Sequence, residues 1–257
     1  MTAEPGVRFL LNPRRDRARP YGPDERAILS LAGAAKARAA IAAWEGYAPT
    51  PLRDLAPVAA AAGVGRVLYK DEAFRFGLKS FKALGGAYAV ERLARERSGL
   101  VVTCATDGNH GRAVAWGARR AGCRAVVYVH EGVSEGRAAA IRALGAEVRR
   151  EGRHYDESVR LCAQNAAREG WQIVSDTSWP GYEEVPKDVM QGYALMAAEA
   201  SEQGARPSHV FVQGGVGGVA AAILSWFWES LGPARPVFVV VEPERAACLL
   251  ESAQAGA

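Results

Sequence analysis

Apolar residues along the chain alternate between short dense runs and longer stretches where they recur at helical spacing. Runs at residues 100–105, 125–129, 210–212 and 237–241 read as buried strands, and 67–70, 147–149 and 172–174 as shorter ones. Between them, residues 28–44, 81–97, 113–121, 138–144, 155–169, 189–203 and 219–231 read as helices. In 81–97, Phe81, Leu84, Tyr88 and Leu93 share one face. Residues 47–52 are extended, because a residue before proline avoids the helical region, and 55–62 form a short helix stopped by Gly63 and Gly65. Residues 1–27, rich in Arg, Pro and Gly, read as irregular. This alternation predicts an α/β protein whose parallel sheet carries helices on its faces through right-handed crossovers. Only residues 244–257 follow the last strand, so the pattern is expected to be the shortened form of a longer doubly wound enzyme.

Composition supports a globular chain: of 257 residues, 49% are hydrophobic and 23% charged. The net charge of +4 is spread over 32 basic and 28 acidic residues. The local excess at Arg8, Arg14, Arg15, Arg17 and Arg19 has no recognition motif beside it, so no nucleic-acid partner is expected. No apolar run is long enough to span a bilayer, and no apolar segment follows the N-terminal charges as in a signal peptide. The four cysteines, Cys104, Cys123, Cys162 and Cys248, form no CxxC pair. They suggest neither zinc nor a disulfide framework, and suit a reducing compartment. A cytoplasmic protein is the expectation.

Four segments carry candidate chemistry. Phe74-Arg75-Phe76-Gly77-Leu78-Lys79-Ser80-Phe81-Lys82 holds two of the five lysines at a loop-to-helix junction. It reads either as a solvated pair or as the site of a Schiff-base lysine, which burial and a helix N-terminus would keep neutral. The small residues after Lys82 would let a flat ring approach the backbone. Thr106-Asp107-Gly108-Asn109-His110-Gly111 follows a strand and opens a helix, where open α/β sheets bind ligands, though it is also a plausible Asx turn. His110 is a candidate base or a structural donor to backbone. Gly214-Gly215-Val216-Gly217-Gly218, between a strand and a helix, offers backbone amides to an anion. Residues 215–220 also fit the dinucleotide fingerprint, with Glu242 placed to hold a ribose. Asp176, in a polar loop after a strand, is a candidate catalytic carboxylate or an ordinary cap.

Together, FKxLGG at Lys82, TDGNHG at Asp107, the run from Asp176 through GYEEVP to MQGY, the glycine-rich loop and VVEP resemble the diaminopropionate ammonia-lyases. Tyr69-Lys70-Asp71-Glu72 and Arg75-Phe76-Gly77-Leu78 match as well. The likeness runs in order from about Pro49 to about Leu250. It implies pyridoxal 5'-phosphate as cofactor and the two-lobed parallel-sheet fold of the tryptophan-synthase-β type, with its C-terminal part missing. One lobe would combine 1–85 with 196–257, and 86–195 would be inserted. Lys82 would carry the cofactor and Asn109 would contact its ring hydroxyl oxygen. Gly214, Gly215, Val216, Gly217 and Gly218 would hold its phosphate. Asp107 and Asp176 would be acid–base carboxylates. The implied reaction converts 2,3-diaminopropionate to pyruvate and ammonia in a homodimer. A threonine or serine dehydratase, an NAD-dependent oxidoreductase using the 215–220 loop, and an inactive remnant are the alternatives.

Overall fold

The computed structural model describes residues 8–256; the first seven residues of the 1–27 stretch lie outside it. Its centre is a parallel sheet of β3 (Val101–Ala105), β4 (Arg124–Val129), β5 (Glu147–Arg150) and β6 (Gln172–Ile173), in the order β5-β4-β3-β6. Val101 pairs with Arg124 and Val126 with Glu147. In β4 every residue after Arg124 is buried, as expected of a central parallel strand covered on both faces. All four strands fall within 86–195, and two further pairs lie outside it. β1 (Leu52–Asp54) and β2 (Leu68–Lys70) are antiparallel, flanking α3 (Ala56–Ala62), whereas β7 (His209–Gln213) and β8 (Val237–Val241) are parallel. The strands thus form a four-stranded parallel sheet, a two-stranded parallel one and a two-stranded antiparallel one. β1 falls where sequence showed only extended chain ahead of a short helix.

The stretch read as irregular ends in a short helix, α1 (Pro23–Ile28), opened by Pro23 at its first position, and the 28–44 region holds α2 (Leu31–Ala42), which the Ser30 side chain caps through the Gly33 amide. α4 (Lys82–Glu96) and α7 (Tyr155–Glu169) lie where the pattern puts them, with α6 (Glu135–Arg142) between them.

Two helix starts differ from the pattern by four residues or more. α5 (Asn109–Ala121) begins four residues before Ala113, because Gly111 is a packing glycine rather than a turn. A Cβ there would stand 2.4 Å from Thr106 Cγ2 and 2.8 Å from Val127 Cγ1. α8 (Glu184–Tyr193) begins before Pro186, which sits in the first helical turn where its missing N–H removes no bond. The helix expected over 189–203 is in fact the end of α8 followed, across Ala194, by α9 (Leu195–Glu202).

The small residues after Lys82 also pack helices together. Residues 83–90 are all buried, and α4 lies at backbone contact with α5 and α8. A Cβ on Gly192 would stand 1.9 Å from the Leu84 carbonyl oxygen, so this helix pair meets only without a side chain there. The run lets α5 and α8 approach α4 closely.

Candidate active site

Lys82 is the first residue of α4, and its side chain is only 24% exposed, whereas Lys79 is exposed. Lys82 Nζ lies 2.5 Å from Asp176 Oδ2. A cation at a helix N-terminus opposes the dipole, and Asp176 supplies the compensating charge. Burial pushes the Asp176 carboxyl up, but His110 and Lys82 outweigh it and hold it at about 2.

Asp176 is aimed by its own loop. Tyr182 accepts the Ser175 amide at 2.8 Å and donates to the Ile173 carbonyl at 2.9 Å, tying the end of β6 to the loop. The Tyr182 ring stacks on Trp179 at 4.1 Å, and burial pushes its phenol up.

His110 completes the cluster. Its Nε2 is 2.7 Å from the Val174 carbonyl, which can only accept, so Nε2 carries a proton. Its Nδ1 is buried without a hydrogen-bond partner and lies 3.8 Å from Asp176 Oδ2. The backbone donation and the site position anticipated for this histidine are both present.

The glycine loop reaches the same place. It runs from β7 into α10 (Gly218–Leu231), with Gly217 at φ 87° as the N-cap. The Cβ position of Gly218 is 3.8 Å from the Asp176 carbonyl oxygen and 3.5 Å from Met190 Cγ. The Gly214 amide donates to Val241 at 2.7 Å. The amides of 215–220 have no hydrogen-bond acceptor among the described residues. Such unclaimed donors at a helix N-terminus are what an anion needs.

Glu242 is engaged elsewhere. Its carboxylate accepts the Leu249 and Leu250 amides at 3.0 and 2.9 Å, capping α11 (Cys248–Ala255). Glu242 thus has a structural task in capping α11.

Asp107 and Asn109 stand apart from the Lys82–Asp176 contact. Asp107 is 61% exposed and its carboxylate meets His130, while Arg137 donates to its carbonyl oxygen at 3.3 Å. Asn109 is exposed on the first turn of α5 and its side chain has no partner among the described residues. The phenol of Tyr155, a side chain with part of its ring exposed, is pushed up to about 12 by desolvation first and then by Asp176, Cys104 and Asp107.

Tyr193, His130 and Tyr182 were missed as site residues. The Tyr193 ring centroid is 5.5 Å from Lys82 Nζ, and its buried hydroxyl has no partner. Tyr193 and Tyr182 belong to the matched motifs and could have been found there. Nothing in the sequence links His130 to Asp107.

The residues present fit pyridoxal phosphate: a shielded lysine for its aldehyde, unclaimed amides for its phosphate, and the orphaned Nδ1 of His110 and hydroxyl of Tyr193 beside them. A family model described as "Pyridoxal-phosphate dependent enzyme" matches residues 43–257. The chain is 41% identical over 233 residues to a diaminopropionate ammonia-lyase of Escherichia coli K12, covering 82% of this chain and 58% of that protein. It is 31% identical over 208 residues to a biosynthetic L-threonine dehydratase of Pasteurella multocida, covering 80% and 38%. The holo crystal structure of the Escherichia coli diaminopropionate ammonia-lyase superposes with a TM-score of 0.86 at 39% identity, covering 90% of this chain and 65% of that one. The chain therefore spans 58% of the length of the curated lyase it matches. It belongs to the pyridoxal-phosphate-dependent enzymes, with the α/β fold of the tryptophan-synthase-β type.

Proposed function

We propose that this chain carries the site for eliminating ammonia from 2,3-diaminopropionate, which with one water yields pyruvate and two ammonia. The observation that carries the reading is the Lys82–Asp176 contact beside the unclaimed amides of the glycine loop. The 41% identity to a diaminopropionate ammonia-lyase supports the choice of substrate over a hydroxyamino acid.

Lys82 would hold the cofactor, with Asn109 at its ring hydroxyl oxygen and Gly214, Gly215, Val216, Gly217 and Gly218 at its phosphate. When bound, pyridoxal phosphate supplies a conjugated electron sink that makes the Cα proton of an amino acid removable. Lys82 Nζ would take that proton on one face, and Asp107, whose carboxylate stands apart from the lysine, would meet the substrate from the other. Asp176 keeps a carboxylate against the lysine amine, and the Nδ1 of His110 faces that carboxylate. Asp107, exposed and held by His130, would attract the β-ammonium of the substrate.

The segment 86–195 is the inserted lobe in this reading, and 1–85 with 196–257 the other. Homodimer is the assembly implied by the family resemblance. Four unpaired cysteines support a reducing, cytoplasmic setting.

The test is borohydride reduction of protein incubated with pyridoxal phosphate, peptide mapping, and pyruvate release from diaminopropionate, serine and threonine. Cofactor on Lys82 with pyruvate from diaminopropionate is expected. Cofactor on Lys79 overturns the site. Pyruvate from serine or threonine alone makes the chain a dehydratase, and no capture at all leaves a remnant. Sizing chromatography checks the dimer.

A further inference from the structure

Two of the matched motifs, Tyr69-Lys70-Asp71-Glu72 and Arg75-Phe76-Gly77-Leu78, have no part in the site described above. The structure brings them together in a buried ion cluster. Arg75 is 1% exposed and Glu199, on α9, is 0% exposed. Arg75 reaches both Glu199 oxygens at 2.9 and 2.8 Å and both Glu72 oxygens at 2.9 and 2.8 Å. Lys70 Nζ adds a second cation 2.7 Å from Glu199 Oε2. Two cations and two anions balance. Burial pushes the Glu199 carboxyl up, but Arg75 and Lys70 outweigh it and hold it below its ordinary range.

The backbone immediately after this cluster is strained. Phe76 and Lys79 are the only described residues other than glycine with positive φ, at 48° and 54°. Side-chain-bearing residues hold such angles only where their surroundings impose them, and such strain collects at functional sites. Both lie between Arg75 and Lys82. Lys82 itself opens α4, with its amide held by the Ser80 hydroxyl at 3.2 Å, in the part of a helix most prone to fray.

We propose that Arg75 and Glu199 are positioning residues for Lys82: their buried pair holds the turn of residues 76–81, left-handed at Phe76, Gly77 and Lys79, that presents the lysine amine to Asp176. This rests on the reading of Lys82 as the lysine that carries the cofactor. Arg75 is suited to it because its planar fork meets two carboxylates at fixed angles, which a lysine cannot copy. The cluster anchors the chain at Arg75, Phe76 packs against Trp116 with centroids 4.8 Å apart, and Leu78 and Ser80 are buried on the way to Lys82.

The test measures the rate at which pyridoxal phosphate with borohydride captures Lys82, using exposed Lys36 as the internal reference, in Glu199→Gln and Arg75→Lys. Both are assayed at a temperature where circular dichroism shows the variant folded. Capture at Lys82 is expected to slow about tenfold relative to Lys36. A lowered Tm with the Lys82 to Lys36 ratio unchanged overturns the proposal, since a merely structural cluster would do just that. Absence of Lys82 capture in the parent chain overturns instead the assignment of Lys82. If the charge variants do not fold, Lys79→Gly decides. Glycine relieves a left-handed residue, so its Tm, read without cofactor, is expected to rise by a few degrees. A fall in Tm shows there is no held strain and overturns the proposal.

Discussion

His130 holds Asp107, donating from Nε2 to Asp107 Oδ1 at 3.1 Å while the Gly132 amide donates to its Nδ1 at 3.1 Å. The Gly132 bond leaves Nδ1 as acceptor, so the proton sits on Nε2 and points at the carboxylate. Asp107 is thereby fixed in direction although it is largely exposed.

That arrangement makes Asp107 a substrate-selective group. The leaving β-amine of diaminopropionate departs protonated, and a nearby carboxylate favours that charge state. Serine has no such cation. Asp107→Asn is expected to cost about fivefold more in pyruvate release from diaminopropionate than from serine, on the scale of ~1 kcal/mol for an exposed ion pair. Equal losses on both substrates would make Asp107 a general proton carrier or a structural residue.

Asp176 makes stability depend on acid. Its carboxyl sits at about 2 in the folded chain against an ordinary 3.8. A depressed folded value means stability that is present above the unfolded value and lost as pH falls through the folded one. The difference amounts to about 2 kcal/mol, present above pH ~5 and fading toward pH ~2. Urea titrations from pH 7 to pH 3 on the parent and Asp176→Asn should show the gap between them narrowing as the pH drops. A gap independent of pH would contradict the pairing.

Tyr182→Phe removes the hydroxyl that joins the Ser175 amide to the Ile173 carbonyl. Losing both bonds costs about 1–3 kcal/mol in urea unfolding, the range for groups left unsatisfied. Because the same bonds aim the Asp176 loop, cofactor capture at Lys82 should slow in the folded variant as well.

Two glycine substitutions separate packing from propensity. Gly192→Ala forces a Cβ into the Leu84 carbonyl and should cost about 3 kcal/mol or prevent folding. Gly136→Ala, in α6 with nothing within 4 Å of its Cβ position, should stabilise by about 0.5–1 kcal/mol. Thermal unfolding of the pair, read side by side, checks both signs.

Much of this was legible in the sequence for local reasons. α7 is bracketed by Tyr155 and the left-handed Gly170, and β8 is an unbroken β-branched and aromatic run, so both ends were visible. Lys82 and the glycine loop stood out because loop-to-helix junctions carry recognisable residues. What local pattern could not show was contact across the chain. Gly111 looks like a turn until Val127 is seen beneath it, and Pro186 looks like a stop until the helix is seen to begin before it. The Asp107–His130 bond spans 23 residues and two elements. The pairing of Arg75 with Glu199 spans 124, and neither residue announces its partner.

The burial of residues 83–90 also sorts the two members of the Lys82–Asp176 contact by how fast their surroundings exchange hydrogen for deuterium. Amides in the body of α4 are released only when α5 and α8 part from it, which places them with the slowest exchangers. Residues 177–181, beside Asp176, are exposed and belong with the fast ones. Exchange around the contact is therefore expected to begin in the exposed 177–181 segment, while the body of α4 behind Lys82 stays protected.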